Sequence, residues 1–218
     1  MKVLVVGASR GIGLEFVRQY RNAGDVVTAT ARSDEGLARI EVLGARSLQL
    51  DVSGTAALAW PIGGESFDVI VLNAGVYGPR TQGLQPPTQN EFDAVMHTNV
   101  LGAMRVLPQV VDALAPGAKL AVISSRMASM ALRTSASGWL YRASKAALNS
   151  VLKDASLVLA GKAICVAFHP GWVRTDMGGA GADLDVATSV ADMRRTLAAL
   201  TAADNGAYLN HDGAGLSW

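Results

Sequence analysis

With 218 residues, half of them hydrophobic and only 17% charged, the chain can bury a sizeable core, and one domain spanning residues 1–218 is the expected arrangement. Nineteen basic and 18 acidic side chains leave a formal charge of +1 spread along the sequence, which excludes a basic stripe for nucleic acid or for a membrane surface. A lone cysteine, Cys165, excludes an internal disulfide, and no apolar run reaches membrane-spanning length, so a soluble protein of a reducing, cytoplasmic compartment is expected.

The first apolar run, residues 3–6, leads directly into Gly7-Ala8-Ser9-Arg10-Gly11-Ile12-Gly13. Glycines at this spacing allow a sharp turn and a close approach of backbone to ligand, while the helix that follows offers free N–H groups and a partial positive charge to a pyrophosphate. Ile12, Phe16 and Tyr20 give that helix its buried face. The second run, residues 26–31, ends in Arg32-Ser33, where an NAD-binding chain would carry a carboxylate for the adenosine ribose. Arg32 and Arg10 instead suit a 2′-phosphate and favour NADPH, with Asp34 keeping NAD open.

Strands at 47–50 and 69–72 end in Asp51-Val52 and Asn73-Ala74-Gly75, at the carboxyl rim where open α/β sheets bind ligands. Asp51 suits the adenine amino group and Val52 the ring; Asn73 reads equally as a turn residue or a cofactor contact. A long central helix is expected from Phe92, Val95, Met96, Val100, Met104 and Leu107, bent at Pro108. Asn99 inside it is a poor helix former, explained by a kink with a water linked to Lys145. Val110, Leu148 and Val151 suit either an oligomer face or the sheet, and a homodimer or homotetramer is expected.

The fifth run, 119–124, delivers Ser124-Ser125 to the same rim, and Ser125 is chosen to hold a substrate oxygen. Tyr141 and Lys145 lie four residues apart on a helix and so share a face. The expectation is that the ammonium lowers the phenol's pKa and makes Tyr141 a usable general acid. Further strands at 164–168 and 207–209 complete an α/β, doubly wound, mostly parallel seven-stranded sheet with helices on both faces. Tyr77, Met127, Trp139, Trp172 and Met177 are candidates for an apolar substrate pocket, under a short loop near 177–185. His97, His169 and Cys165 lack partners at ligand spacing, so no metal is expected.

Taken together, the glycine loop, Asn73-Ala74-Gly75, the ordered set Asn99, Ser125, Tyr141 and Lys145, and His169-Pro170-Gly171-Trp172-Val173-Arg174-Thr175 resemble the short-chain dehydrogenase/reductase family over essentially the whole chain. The sixteen-residue step from Ser125 to Tyr141 and the ending Asp212-Gly213 to Trp218 are similar to its C-factor and sniffer-type carbonyl reductase branch. The resemblance implies a Rossmann-type fold and NADPH-dependent carbonyl reduction, with a small-molecule carbonyl or alcohol as substrate. It also implies that Ser9 and Ile12 of the loop, and Pro170, Gly171, Val173 and Thr175, contact the cofactor together with Tyr141 and Lys145. The same branch implies an alternative, a dinucleotide-binding signalling or sensor protein with little turnover.

Overall fold

The computed structural model describes residues 1–54 and 64–218. Seven strands, Lys2–Val6 (β1), Val26–Ala31 (β2), Arg46–Gln49 (β3), Phe67–Leu72 (β4), Leu114–Ile123 (β5), Ala163–His169 (β6) and Ala207–Asn210 (β7), form one sheet in the order β3-β2-β1-β4-β5-β6-β7. Every ladder is parallel, so the sheet is wholly rather than mostly so. Six α-helices are described: Gly11–Asn22 (α1), Asp34–Val42 (α2), Gln89–Met96 (α3), Gly102–Val110 (α4), Trp139–Val158 (α5) and Val186–Ala199 (α6).

The unbroken hydrophobicity of the strands has a direct cause in the packing. Alternate residues of one strand point to opposite faces. Val3 and Val5 of β1 join a core with Phe16, Val17 and Tyr20 of α1, Ile40 of α2 and Met193 of α6. Leu4 and Val6 join a second core with Val106 and Val110 of α4 and Leu148 and Leu152 of α5. A sheet covered on both faces leaves no position for a polar alternation. Val110 and Leu148 therefore face the sheet and do not offer an oligomer surface, and Val151 packs beside them.

The central helix departs from expectation. It is divided into α3 and α4 by a π-helical turn, His97–Leu101, and the disruption centres on Asn99 rather than on Pro108, which sits in the last turns of α4. A π turn inserts one extra residue into the ladder and is often found at functional positions.

The chain winds outward from β1 to β3, then returns to place β4 on the other side of β1. At that reversal the loops after β1 and β4 diverge, which opens a crevice at the carboxyl ends of the two central strands.

Candidate active site and nucleotide crevice

The glycine loop is shaped by contacts that admit no side chain. Gly7 has φ +84°, and a Cβ there would lie 2.7 Å from the Ala74 backbone. On Gly13 a Cβ would lie 2.3 Å from the Gly7 carbonyl oxygen and 2.6 Å from Asn73 Nδ2. Asn73 donates from Nδ2 to that same carbonyl at 2.6 Å. Of the two readings open for Asn73, the described contact is the structural one: it pins the loop from behind. Gly7 N donates to Thr30 Oγ1 at 3.0 Å and Ala8 N to the Thr30 carbonyl at 2.7 Å, which ties the loop to β2. Gly11 opens α1, with Thr175 against it, so the loop after β6 closes the crevice from the opposite side. Ile12 packs its side chain into the core. A cradle of this shape, with a helix N-terminus at its floor, fits a pyrophosphate.

Arg10 stands exposed at the head of α1 and is ion-paired with Asp176, a partner the sequence reading did not foresee. Ser9 contributes its carbonyl, which accepts from Arg39 Nη1 at 3.2 Å. Arg39, in the last turn of α2 and also ion-paired with Glu35, thus joins Arg10 as a second guanidinium at the loop, while Arg32 follows the end of β2. Arg39 was missed because its sequence position gives no hint that α2 folds against Ser9. The contact is possible because Gly36, which faces Ser9 and Ala31, has no side chain; a Cβ there would lie 2.9 Å from that of Ser9. Asp51 binds Ser53 through its N–H at 2.9 Å and its hydroxyl at 2.7 Å, and these bonds hold its carboxyl below the ordinary range. Val52 is buried against Gly102 at the start of α4.

Asn99 is almost fully buried and makes three side-chain hydrogen bonds. Its Oδ1 accepts from Val76 N at 2.8 Å, and its Nδ2 donates to the Val76 carbonyl at 2.8 Å and to Ser144 Oγ at 2.9 Å. The π turn presents the amide to the backbone just beyond β4, so Asn99 acts there as a two-way backbone partner. A Cβ on Gly75 would lie 3.1 Å from Lys145 Nζ and 3.3 Å from Asn99 Oδ1, so Ala74-Gly75 runs between the two side chains.

Tyr141 and Lys145 extend from the first turns of α5, and Gly138 precedes it with φ +63°. Ser125, just beyond the end of β5, and Tyr141 are both buried at this rim, and the Ser125 Oγ accepts from Met127 N at 3.2 Å. Lys145 Nζ donates to the Ile123 carbonyl at 2.9 Å and lies 5.8 Å from the centre of the Tyr141 ring. Ser124 turns instead to the helix, donating to Asn149 Oδ1 at 2.6 Å. Tyr141, Lys145 and Asn149 thus share one face of α5 at i, i+4 and i+8, and all three are buried.

The electrostatic expectation for this pair is overturned. Burial governs both groups: it pushes the Tyr141 phenol up to about 12, against a smaller lowering by Ser125, and the Lys145 ammonium down to about 8. Desolvation disfavours either charged form, so at neutral pH the pair rests as a neutral phenol beside an ammonium that gives up its proton near about 8.

Around this centre, Tyr77 stacks on Tyr141 with ring centres 4.6 Å apart, and Arg80 lies 5.0 Å from the Tyr77 ring. Met127 and Tyr77 converge on Gly138, where a Cβ would lie 3.4 Å and 2.4 Å from them. Trp139 is half-buried at the start of α5, with an indole N–H that has no partner. Trp172 is exposed, and its N–H donates to the Gly178 carbonyl at 2.9 Å. Met177 gives its carbonyl to Arg80 at 2.9 Å, so the segment beyond Thr175 is tied to the loop beyond β4. Pro170 is held through its carbonyl by Ser189 Oγ, Gly171 has φ +87° with Leu184 against it, and Val173 bridges to Leu184. The structure therefore gathers the residues from 170 to 177 along the rim opposite the glycine loop.

His169 has its pKa pushed down to about 4, chiefly by burial, and Cys165 is pushed up to about 11 by burial, so neither is poised for proton transfer or nucleophilic chemistry at neutral pH. Among the described residues no group of three or more His, Cys, Asp or Glu side chains comes together, and no helix is long and apolar enough to cross a membrane.

A family model described as short chain dehydrogenase matches residues 1–183. The C-signal protein of Myxococcus xanthus is 35% identical over 154 residues, covering 69% of this chain and 92% of its own. Among solved structures, a carbonyl reductase from Pseudomonas aeruginosa PAO1 in complex with NADP superposes with a TM-score of 0.84 at 32% identity, covering 100% of this chain and 99% of that one. The carbonyl reductase Sniffer of D. melanogaster superposes with a TM-score of 0.86 at 28% identity, over the same shares.

Proposed function

This chain belongs to the short-chain dehydrogenase/reductase family of oxidoreductases, and we propose that it is an NADPH-dependent reductase that converts an aldehyde, ketone or quinone-like carbonyl to an alcohol, with Tyr141 as general acid. The observation that carries this reading is the joint burial of Asn99, Ser125, Tyr141 and Lys145 on the same rim as the glycine loop, with Lys145 Nζ 5.8 Å from the Tyr141 ring centre and Gly75 against both Lys145 and Asn99. NADPH rather than NADH is supported by Arg10 and Arg39 at the loop, by Arg32 just after β2, and by the lack of a carboxylate at that strand's end. Arg10 would exchange Asp176 for phosphate.

The bound nucleotide supplies the hydride. Everything else is done by side chains of this chain. Ser125 holds the substrate oxygen by its hydroxyl, and as hydride reaches the carbonyl carbon the developing alkoxide takes the phenol proton of Tyr141. The high pKa of Tyr141 keeps that proton in place at neutral pH until an oxygen of greater basicity forms. Lys145 then stabilises the phenolate in a site from which water has been removed, where a charge pair acts strongly. Solvent returns the proton afterwards. Asn99 keeps the backbone at Val76 fixed so that Ala74-Gly75 stays out of the space between Lys145 and the crevice.

The substrate mouth is lined by Tyr77, Met127, Trp139, Trp172 and Met177, and the short segment 177–185 closes over it. Tyr77 against Tyr141 supports flat or bulky carbonyl compounds. A second reading, an NAD(P)-binding signalling protein with little turnover, draws on the likeness to the C-signal protein. The deciding experiment follows NADPH oxidation with a panel of aldehydes and quinones. Turnover by the wild type, lowered ~10²–10⁴-fold in Tyr141→Phe with NADPH binding retained, is the expected result. Tight nucleotide binding without turnover across the panel would favour the second reading.

A further inference from the structure

Beneath Ser125 lies a set of contacts that the reaction itself does not use. Tyr208 of β7 is buried, and its hydroxyl donates to the Ser125 backbone carbonyl. Next to it, the buried Asn149 accepts from Ser124 Oγ at 2.6 Å, one residue before Ser125. After β7 the chain turns at Asp212-Gly213 and comes back alongside, with Leu216 N donating to the Tyr208 carbonyl and Asn210 N to the Ala214 carbonyl, both at 2.8 Å. The returning segment ends against the loop that carries Ser125. Trp218 stacks on Tyr208, with ring centres 5.1 Å apart and planes at 28°. Its backbone oxygen accepts from Met130 N at 3.0 Å and Ala131 N at 3.3 Å. Ser129, with no exposed surface, donates to the Ser217 carbonyl at 2.7 Å and accepts from Leu132 N at 3.0 Å.

We propose that Tyr208, braced by Trp218, is a positioning residue that sets the height of Ser125 against Tyr141. The inference rests on the reductase reading above. Its physical basis is that Ser125 leaves β5 in an extended conformation into a single three-residue 3₁₀ turn, Arg126–Ala128, whose own bonds, Ala128 N to the Ser125 carbonyl at 2.8 Å and Met127 N to its Oγ at 3.2 Å, are all local, so the position of the whole turn relative to α5 depends on contacts from elsewhere. The partners that anchor it come from far along the chain: the Tyr208 hydroxyl of β7 donates to the Ser125 carbonyl, and the backbone oxygens of Ser217 and Trp218 accept from Ser129, Met130 and Ala131, more than 80 positions away. Errors of ~1 Å in the placement of reacting groups can cost ~100-fold in rate, so a brace on the Ser125 backbone controls turnover without touching substrate.

The test compares Tyr208→Phe, Trp218→Ala and Trp218→Phe with the wild type, using menadione and 4-nitrobenzaldehyde as carbonyl probes and fluorescence for NADPH binding. Tyr208→Phe and Trp218→Ala are expected to lower kcat by ~10–100-fold while NADPH affinity stays at the wild-type value. Trp218→Phe keeps a ring on Tyr208 and is expected to recover most of the loss. Amide exchange at Met127, Met130 and Ala131 is expected to quicken in Trp218→Ala. Wild-type kcat in Tyr208→Phe, or a kcat loss matched by equal losses of NADPH affinity and thermal midpoint, would overturn the positioning role and leave the reductase reading standing. Absence of turnover in the wild type would overturn the reductase reading and this proposal with it.

Discussion

Lys145→Met should make the protein more stable and inactive. Burial lowers the Lys145 pKa from the ordinary 10.5 to about 8. At ~1.4 kcal/mol for each tenfold change in protonation, that displacement corresponds to roughly 3 kcal/mol of destabilised ammonium at neutral pH. The substitution also removes the hydrogen bond to the Ile123 carbonyl, worth ~1 kcal/mol. A net gain of about 2 kcal/mol remains, which for a chain of this size raises the melting midpoint by roughly 4–8 °C. The pH dependence has a definite sign. Between about 8 and 10.5 the unfolded chain holds a proton at this lysine that the folded chain has released, so wild-type stability rises with pH across that window. The advantage of the methionine variant is therefore full below about pH 8 and fades as pH rises toward 10.5. Calorimetry of both proteins without nucleotide, at several pH values, measures it. A methionine variant less stable than wild type at pH 7, or an advantage independent of pH, would show that burial of the ammonium is not the dominant influence at Lys145.

The same displacement fixes the alkaline limb of activity: kcat/KM for carbonyl reduction should fall as pH rises through about 8, where Lys145 loses its proton, well below the value of about 12 for Tyr141. A rate profile that stays flat to roughly pH 10 would contradict this assignment of the limb. Asn99→Ala removes one buried and two part-buried hydrogen bonds and strands the N–H and carbonyl of Val76, a loss of roughly 3–5 kcal/mol visible as a lowered urea midpoint. Gly13→Ala is a test of local against tertiary physics. Helix propensity alone promises ~1 kcal/mol of stabilisation, whereas the clash with the Gly7 carbonyl and Asn73 predicts a loop forced open and NADPH affinity reduced more than tenfold by fluorescence titration. Replacing Arg10 and Arg32 together by Ala should raise the KM for NADPH by ~10–100-fold and leave that for NADH nearly unchanged, since a charge-assisted bond to the 2′-phosphate is worth ~1.5–3 kcal/mol.

The strands were legible in the sequence because burial on both faces of a sheet writes a continuous apolar run, and runs at 3–6, 69–72 and 164–168 all lie within strands. The glycine loop was legible for a related reason: where backbone must approach backbone within van der Waals range, only Gly7 and Gly13 satisfy the sterics, so the constraint shows in the residue types themselves. The helical spacing of Tyr141 and Lys145 likewise determined that they share a face. What the spacing did not contain is their solvation. The direction in which the phenol and the ammonium are displaced depends on how much protein surrounds them, a sum over β5, α5 and the loops that no local pattern records. The π turn at Asn99, the pairing of Arg10 with Asp176, the reach of Arg39 to Ser9 and the brace from Tyr208 and Trp218 beneath Ser125 arise in the same way. Each joins residues whose separation in sequence carries no periodic signal, and each exists only once the parallel sheet has brought its carboxyl ends to one rim.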